Sequence, residues 1–178
     1  KIKKNLTAKE TFALAVQNHQ KNNLEIAKNL YKETLKTNPN HASAHNNLGL
    51  VFQAFGKFQK ARSSYQKAID IQPDYANAHN NLGNVLKELG EHQKAISSYQ
   101  KAIEIDPNYA DRHYNLGLIL RELGEYQKAI SSYQKAIDIQ PGYTGALNDL
   151  GIVFNEIGEH RKAIGCYEKV IQIDPNFV

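Results

Sequence analysis

Apolar residues along this chain fall in short stripes at helical spacing, and the stripes recur. In residues 76–109, ANAHNNLGNVLKELGEHQKAISSYQKAIEIDPNY, the side chains of His79, Leu82, Gly83 and Leu86 stand at i, i+3, i+4 and i+7, one face of a helix. Ala95, Tyr99, Ala102 and Ile103 form a second such face in the other half of the stretch. The pattern predicts two amphipathic helices. Gly90 stands where the first must stop and supplies a left-handed cap, while Pro107 drives Asp106 out of the helical region and ends the second.

Pro39, Pro73, Pro107, Pro141 and Pro175 are each thirty-four residues apart with no insertion, the fixed period of a solenoid. The chain divides on this period into a lead at 1–7 and five repeats, 8–41, 42–75, 76–109, 110–143 and 144–177. Glycine inside a helix costs about 1 kcal/mol relative to alanine. Gly49, Gly83, Gly117 and Gly151 therefore predict close approach of the second helix, where Ala61, Ala95, Ala129 and Ala163 stand. A lone hairpin leaves one side of each stripe wet, and stacking against the next hairpin covers it.

The two ends depart from the pattern. Lys1 to Leu6 is a short basic lead expected to fray, and Thr7 with Glu10 forms a capping box before the first helix. Repeat 1 has Thr11 for the bulky fourth residue and Asn22-Asn23 for the glycine turn, as an end unit would. In the last repeat, Ile164, Tyr167, Val170 and Ile171 are expected to lie uncovered. Further repeats, a capping helix or another chain would cover them. The chain starts at Lys1 and contains no methionine, as expected of a segment excised from a longer protein.

These residues resemble the tetratricopeptide repeat (TPR). His79, Leu82-Gly83, Leu86, Ala95, Tyr99, Ala102 and Pro107 stand where that family places a large residue, Leu-Gly, a bulky residue, Ala, an aromatic, Ala and Pro. One departure is consistent, in that the usual Trp at the fourth place is His45, His79 and His113, then Leu147. The resemblance implies an all-α, right-handed α-solenoid of helix-turn-helix hairpins whose first helices line a concave face. It also implies protein or peptide binding.

Composition narrows the function. The 178 residues are 41% hydrophobic, with the apolar content spread evenly, and the net charge of +4 comes from 22 Lys and Arg against 18 Asp and Glu. Lys60, Lys67, Lys94, Lys101, Lys128 and Lys135 recur on the second helices, expected to face outward, and interspersed glutamates break any basic stripe, so nucleic acid is not an expected partner. No apolar run approaches a membrane span. One cysteine and no signal-like segment point to a reducing, cytoplasmic setting.

No phosphate loop, dinucleotide fingerprint, paired-cysteine motif or nucleophile elbow occurs, so neither an enzyme nor a cofactor is expected. His45, His79 and His113 sit on different repeats, too far apart to share an ion, and are expected as half-buried spacers. Cys166 replaces Ser64, Ser98 and Ser132 of the other repeats and is expected as a small tolerated residue.

The candidate binding residues are polar ones recurring on the first helices. The fifth place carries Phe12, Asn46, Asn80, Tyr114 and Asn148, and the sixth carries Ala13, Asn47, Asn81, Asn115 and Asp149. Asn is a mediocre helix former, so its repeated use asks for a reason. An amide both donates and accepts, which suits gripping the backbone of an extended peptide. Asn84, Lys87 and Arg121 add polar contacts from the same helices. The Asn row resembles the lining of the repeat region of O-linked N-acetylglucosamine transferases, which implies a docking region of a larger enzyme. Behind this reading stand two others, amides that bridge neighbouring helices and amides copied along with an ancestral repeat.

Binding of chaperone C-terminal tails is disfavoured. The two-carboxylate clamp of such family members needs Lys and Arg, whereas this chain offers Asn80, Asn84, Asn115, Gly145 and Asp149 in the clamp places. The competing function is a self-assembling scaffold, joined through the 144–178 edge.

Overall fold

The computed structural model describes residues 6–176, so most of the basic lead, Lys1 to Asn5, lies outside the described residues. The described helices are α1 (Ala8–Gln20), α2 (Leu24–Thr37), α3 (Ala42–Ala54), α4 (Phe58–Ile71), α5 (Ala76–Glu88), α6 (His92–Ile105), α7 (Ala110–Glu122), α8 (Tyr126–Ile139), α9 (Thr144–Glu156) and α10 (His160–Ile173). The odd-numbered helices begin at Ala8, Ala42, Ala76, Ala110 and Thr144, each thirty-four residues after the last. The chain is an all-α solenoid of paired helices.

Each end signal has a visible physical cause. Thr7 accepts from the Glu10 backbone N–H at 3.2 Å while the Glu10 carboxylate accepts from the Thr7 N–H at 2.8 Å, which is the expected capping box. Gly124 closes the α7–α8 turn with a φ of +72°, and Asn22 holds the matching place between α1 and α2 at +58°. Asn is among the few residues with a side chain that tolerate this region.

The chain divides into two compact units, Lys1–Glu91 and His92–Val178. In the first, α1 packs on α2, α2 on α3, α3 on α4 and α4 on α5, and α1 also touches α3, as α3 touches α5, with Cα atoms within 8 Å. Among the described residues α2 and α4 do not approach one another in this way. The first helices of the hairpins thus crowd together while the second helices splay, which curves the unit with the first helices on its concave side. The second unit is built alike. There α7 touches α9, whereas among the described residues α6, α8 and α10 do not approach one another in this way.

Gly49, Gly117 and Gly151 stand against an aromatic ring of their own hairpin rather than against the alanines. A Cβ on Gly49 would stand 2.5 Å from the Tyr65 ring, and one on Gly117 2.5 Å from the Tyr133 ring. Real Cβ atoms do not come so near. The aromatic ring is what requires glycine, and Ala61 and Ala129, fully buried, fill the space beside it.

The histidines at the Trp place do more than space the helices. His45 Nε2 lies 2.9 Å from the Pro39 carbonyl oxygen, His79 Nε2 2.9 Å from that of Pro73, and His113 Nε2 2.9 Å from that of Pro107. A ring N–H at that atom donates to the proline carbonyl. Each such bond ties a first helix to the turn that precedes it. Leu147 cannot make the bond and is simply buried.

The last helix is less bare than expected. Val170 is buried and Tyr167 is half-buried against Gly151, where a Cβ would meet its ring at 2.6 Å. Both residues belong to the hairpin's own packing. Ile164 and Ile171 remain open, at 56% and 60% exposure, together with Ile173.

Candidate functional site

On the concave side of the first unit, Asn46 is a tie between helices. Its Nδ2 donates to Asn47 Oδ1 at 3.2 Å, and its Oδ1 accepts from Asn81 Nδ2 at 3.1 Å, across from α3 to α5. Asn46 is 4% exposed, whereas Asn47 and Asn81 are half-buried. Burial pushes the Tyr31 hydroxyl up from its ordinary pKa, and a hydrogen bond from Asn47 works against that shift. Asn80, Asn84 and Lys87 lie half-buried on α5, and each has an interaction partner.

The second unit fills the same places with different chemistry. The Tyr114 hydroxyl donates to Asp149 Oδ2 at 2.8 Å, and Arg121 donates to Asp149 Oδ1 at 2.7 Å. Asp149 is 9% exposed, and Asn115 and Asn148 are half-buried beside this group. Asn46 with Asn81 and Tyr114 with Asp149 are both thirty-five residues apart, the fifth place of one repeat joined to the sixth of the next. One slot between hairpins thus accepts an amide pair or a phenol–carboxylate pair.

Charge is compensated within the Tyr114 group. Burial works against the Arg121 guanidinium, yet the Asp149 carboxylate, together with Tyr133 and Glu156, outweighs it and holds Arg121 above its ordinary pKa. Burial, then the hydrogen bond to Asp149, raises Tyr114. The Tyr133 hydroxyl behind it is buried without a hydrogen-bond partner. In the first unit the corresponding tyrosines are tied to the twelfth residue of their repeat, Tyr31 with His19 at 3.2 Å and Tyr65 with Gln53 at 2.9 Å. Arg121 holds that place for Tyr133 but is drawn to Asp149.

Three residues of this side escaped the sequence reading as binding residues. Asp111 lies one turn before Tyr114, Tyr143 donates its hydroxyl to Asp111 Oδ1 at 2.7 Å, and Gly145 lies against the rings of Tyr114 and Tyr143. Asp111 shares the stripe of Tyr114 and Asn115, a signal present in the spacing. Away from this side, a cavity of about 300 Å³ opens between α6 and α8, with Gln93, Gln100 and Ser131 above Leu116 and Leu120.

Arg112 was also missed. It is buried in the place of Ala44, Ala78 and Ala146, donates to the Asp106 carbonyl at 2.8 Å, and pairs with the Asp106 carboxylate. Its guanidinium lies 4.7 Å over the Tyr109 ring.

Among the described residues no group of three His, Cys, Asp or Glu could hold a metal ion, and no helix is long and apolar enough to cross a membrane. Cys166 is buried, which pushes its thiol pKa up.

Paired helices on a fixed period, with polar rows on the concave side of each unit, define a helical-repeat scaffold. Models of the TPR repeat match residues 54–90 and 83–120, and models of the tetratricopeptide repeat match 109–176 and 30–63. A crystal structure of MamA is 30% identical over 90% of this chain and 94% of its own, with a TM-score of 0.84. The chain belongs to the tetratricopeptide-repeat family. YrrB, described as a TPR protein with an unusual peptide-binding site, is 24% identical over 96% of this chain and 88% of its own, with a TM-score of 0.78. PilF of Pseudomonas aeruginosa is 24% identical over 93% of this chain and 75% of its own, with a TM-score of 0.84. These last two likenesses are of fold. No curated protein sequence matches the chain significantly.

Proposed function

We propose that this TPR scaffold binds an extended segment of a partner protein along the concave, first-helix side of its units. The observation that carries this reading is the cross-repeat row, in which Asn46 holds Asn47 and Asn81, and Asp149 holds Tyr114 and Arg121. The buried members fix the half-buried ones in advance, so binding orders few side chains and costs little entropy. Asn47, Asn81, Asn115 and Asn148 then meet the peptide backbone through amides that donate and accept, with Asn80, Asn84 and Lys87 beside them. The fold shared with YrrB is one on which a peptide-binding site has been built. The single unpaired cysteine suits a reducing compartment such as the cytoplasm.

The test is selection of extended peptides from a random library on the whole chain, followed by replacement of Asn47, Asn81 and Asn115 by Ala. Helicity by circular dichroism is expected to persist while peptide affinity drops at least about tenfold. Unchanged affinity in a folded variant would remove the amide row from the account.

Exposed Ile164 and Ile171 favour a second reading, in which another copy of the chain covers the α10 face and the protein acts as a self-assembling scaffold. Sedimentation across a wide concentration range separates the two, since a chain that stays monomeric excludes it. Service as the docking region of a larger glycosyltransferase-like enzyme rests on the amide row's resemblance alone.

A further inference from the structure

The chain already holds one guanidinium between a tyrosine and a carboxylate, and the next repeat keeps the tyrosine without the guanidinium. Tyr109 lies under Arg112, which pairs with Asp106. Thirty-four residues on, Tyr143 takes the place of Tyr109, but Ala146 takes that of Arg112. Tyr143 instead donates its hydroxyl to Asp111, and its ring stands 5.0 Å from that of Tyr114 at 46°. The result is two aromatic rings with a carboxylate at their edge.

Three further features favour a cation here. Asp111 is exposed, and the partner found for it among the described residues is a neutral hydroxyl, so its charge stays uncompensated. Gly145 leaves the approach open, because a Cβ there would already lie 3.4 Å from the Tyr143 ring and 3.6 Å from the Tyr114 hydroxyl. Arg121, the cation on this stripe of α7, is committed to Asp149. The corresponding stripe of α3 carries Ser43, Asn46, Asn47 and Gln53 and no charge at all. The two units therefore offer different chemistry to whatever lies along them.

We propose that Asp111, Tyr114, Tyr143 and Gly145 form a subsite for a lysine or arginine side chain of the bound segment, a specificity that rests on the peptide-binding reading above. The cation lies against the tyrosine ring and donates to the Asp111 carboxylate. Asp111 then exchanges the Tyr143 hydroxyl for a charged donor.

The experiment extends the library selection on the whole chain. Recovered peptides are expected to share a lysine or arginine at one place. Replacing an arginine there by citrulline, which keeps the shape and removes the charge, should weaken binding about tenfold. Asp111→Asn should abolish that difference while leaving affinity for the citrulline form unchanged, and Tyr143→Leu should weaken the arginine peptide. Peptides that bind equally well with citrulline overturn the subsite and leave the peptide-binding reading standing. Failure to recover any peptide overturns both.

Discussion

Asn81 donates from α5 to the buried Asn46 of α3 across 3.1 Å, joining residues thirty-five apart in the chain through one pair of amides. The same Asn46 donates to Asn47 on its own helix, so three amides of the row share one hydrogen-bond chain. Asn46 therefore contributes to stability, and in the proposed binding it acts only through its neighbours.

Asn46→Ala is expected to cost about 1–3 kcal/mol, because Asn81 and Asn47 are left without their partner. Asn148→Ala, at a half-buried place among whose described neighbours no such tie is found, should stay within about 0.5 kcal/mol. Urea unfolding of both variants checks the contrast. Equal effects would mean that the amide chain adds nothing to the fold.

Two glycines in helix interiors should respond in opposite directions. Gly117→Ala forces a Cβ against the buried Tyr133 ring and is expected to destabilise by about 1–3 kcal/mol. Gly165 in α10 has nothing within 4 Å of an added Cβ, so Gly165→Ala should stabilise by up to about 1 kcal/mol through helix propensity. Thermal melts of the two variants against the parent chain decide the matter.

His113→Phe keeps an aromatic ring but removes the donor to the Pro107 carbonyl. The loss expected is about 0.5–1.5 kcal/mol, the net worth of one hydrogen bond. Hydrogen exchange at the first turn of α7 should speed up, since the bond ties that helix to the preceding turn.

His19 sets a pH dependence of stability in the first hairpin. Burial holds its imidazole below the ordinary value of 6.5, so the folded chain favours the neutral ring. As pH falls through that value the unfolded chain takes up the proton first, and stability present above it is lost. The urea midpoint should drop between about pH 7 and pH 5, and His19→Gln should remove that part of the drop.

The helices and their ends were legible because Gly, Pro and the Thr7–Glu10 box punctuate an apolar period that no insertion interrupts. The face of each side chain was legible less far. Asn46 and Asn47 are adjacent and identical, and only the rotation of α3 against α5 buries one and half-exposes the other. The reading that amides bridge neighbouring helices describes Asn46, and it was open in the sequence beside the peptide-gripping one. The paired change from Asn46–Asn81 to Tyr114–Asp149 was also present, but it joins places thirty-five residues apart and shows its meaning only once those helices are side by side. Arg112 was not legible at all, since nothing local says that an arginine in an alanine place will turn back to Asp106.

The most direct measurement is an amide nuclear-magnetic-resonance titration of the labelled chain with a peptide recovered from the random library. Binding along the first-helix side predicts that the largest shifts fall at Asn47, Asn81, Asn115 and Gly145. Shifts confined to the second helices, at Gln93, Gln100 and Ser131, would contradict the account and move the binding surface to the other side of the repeats.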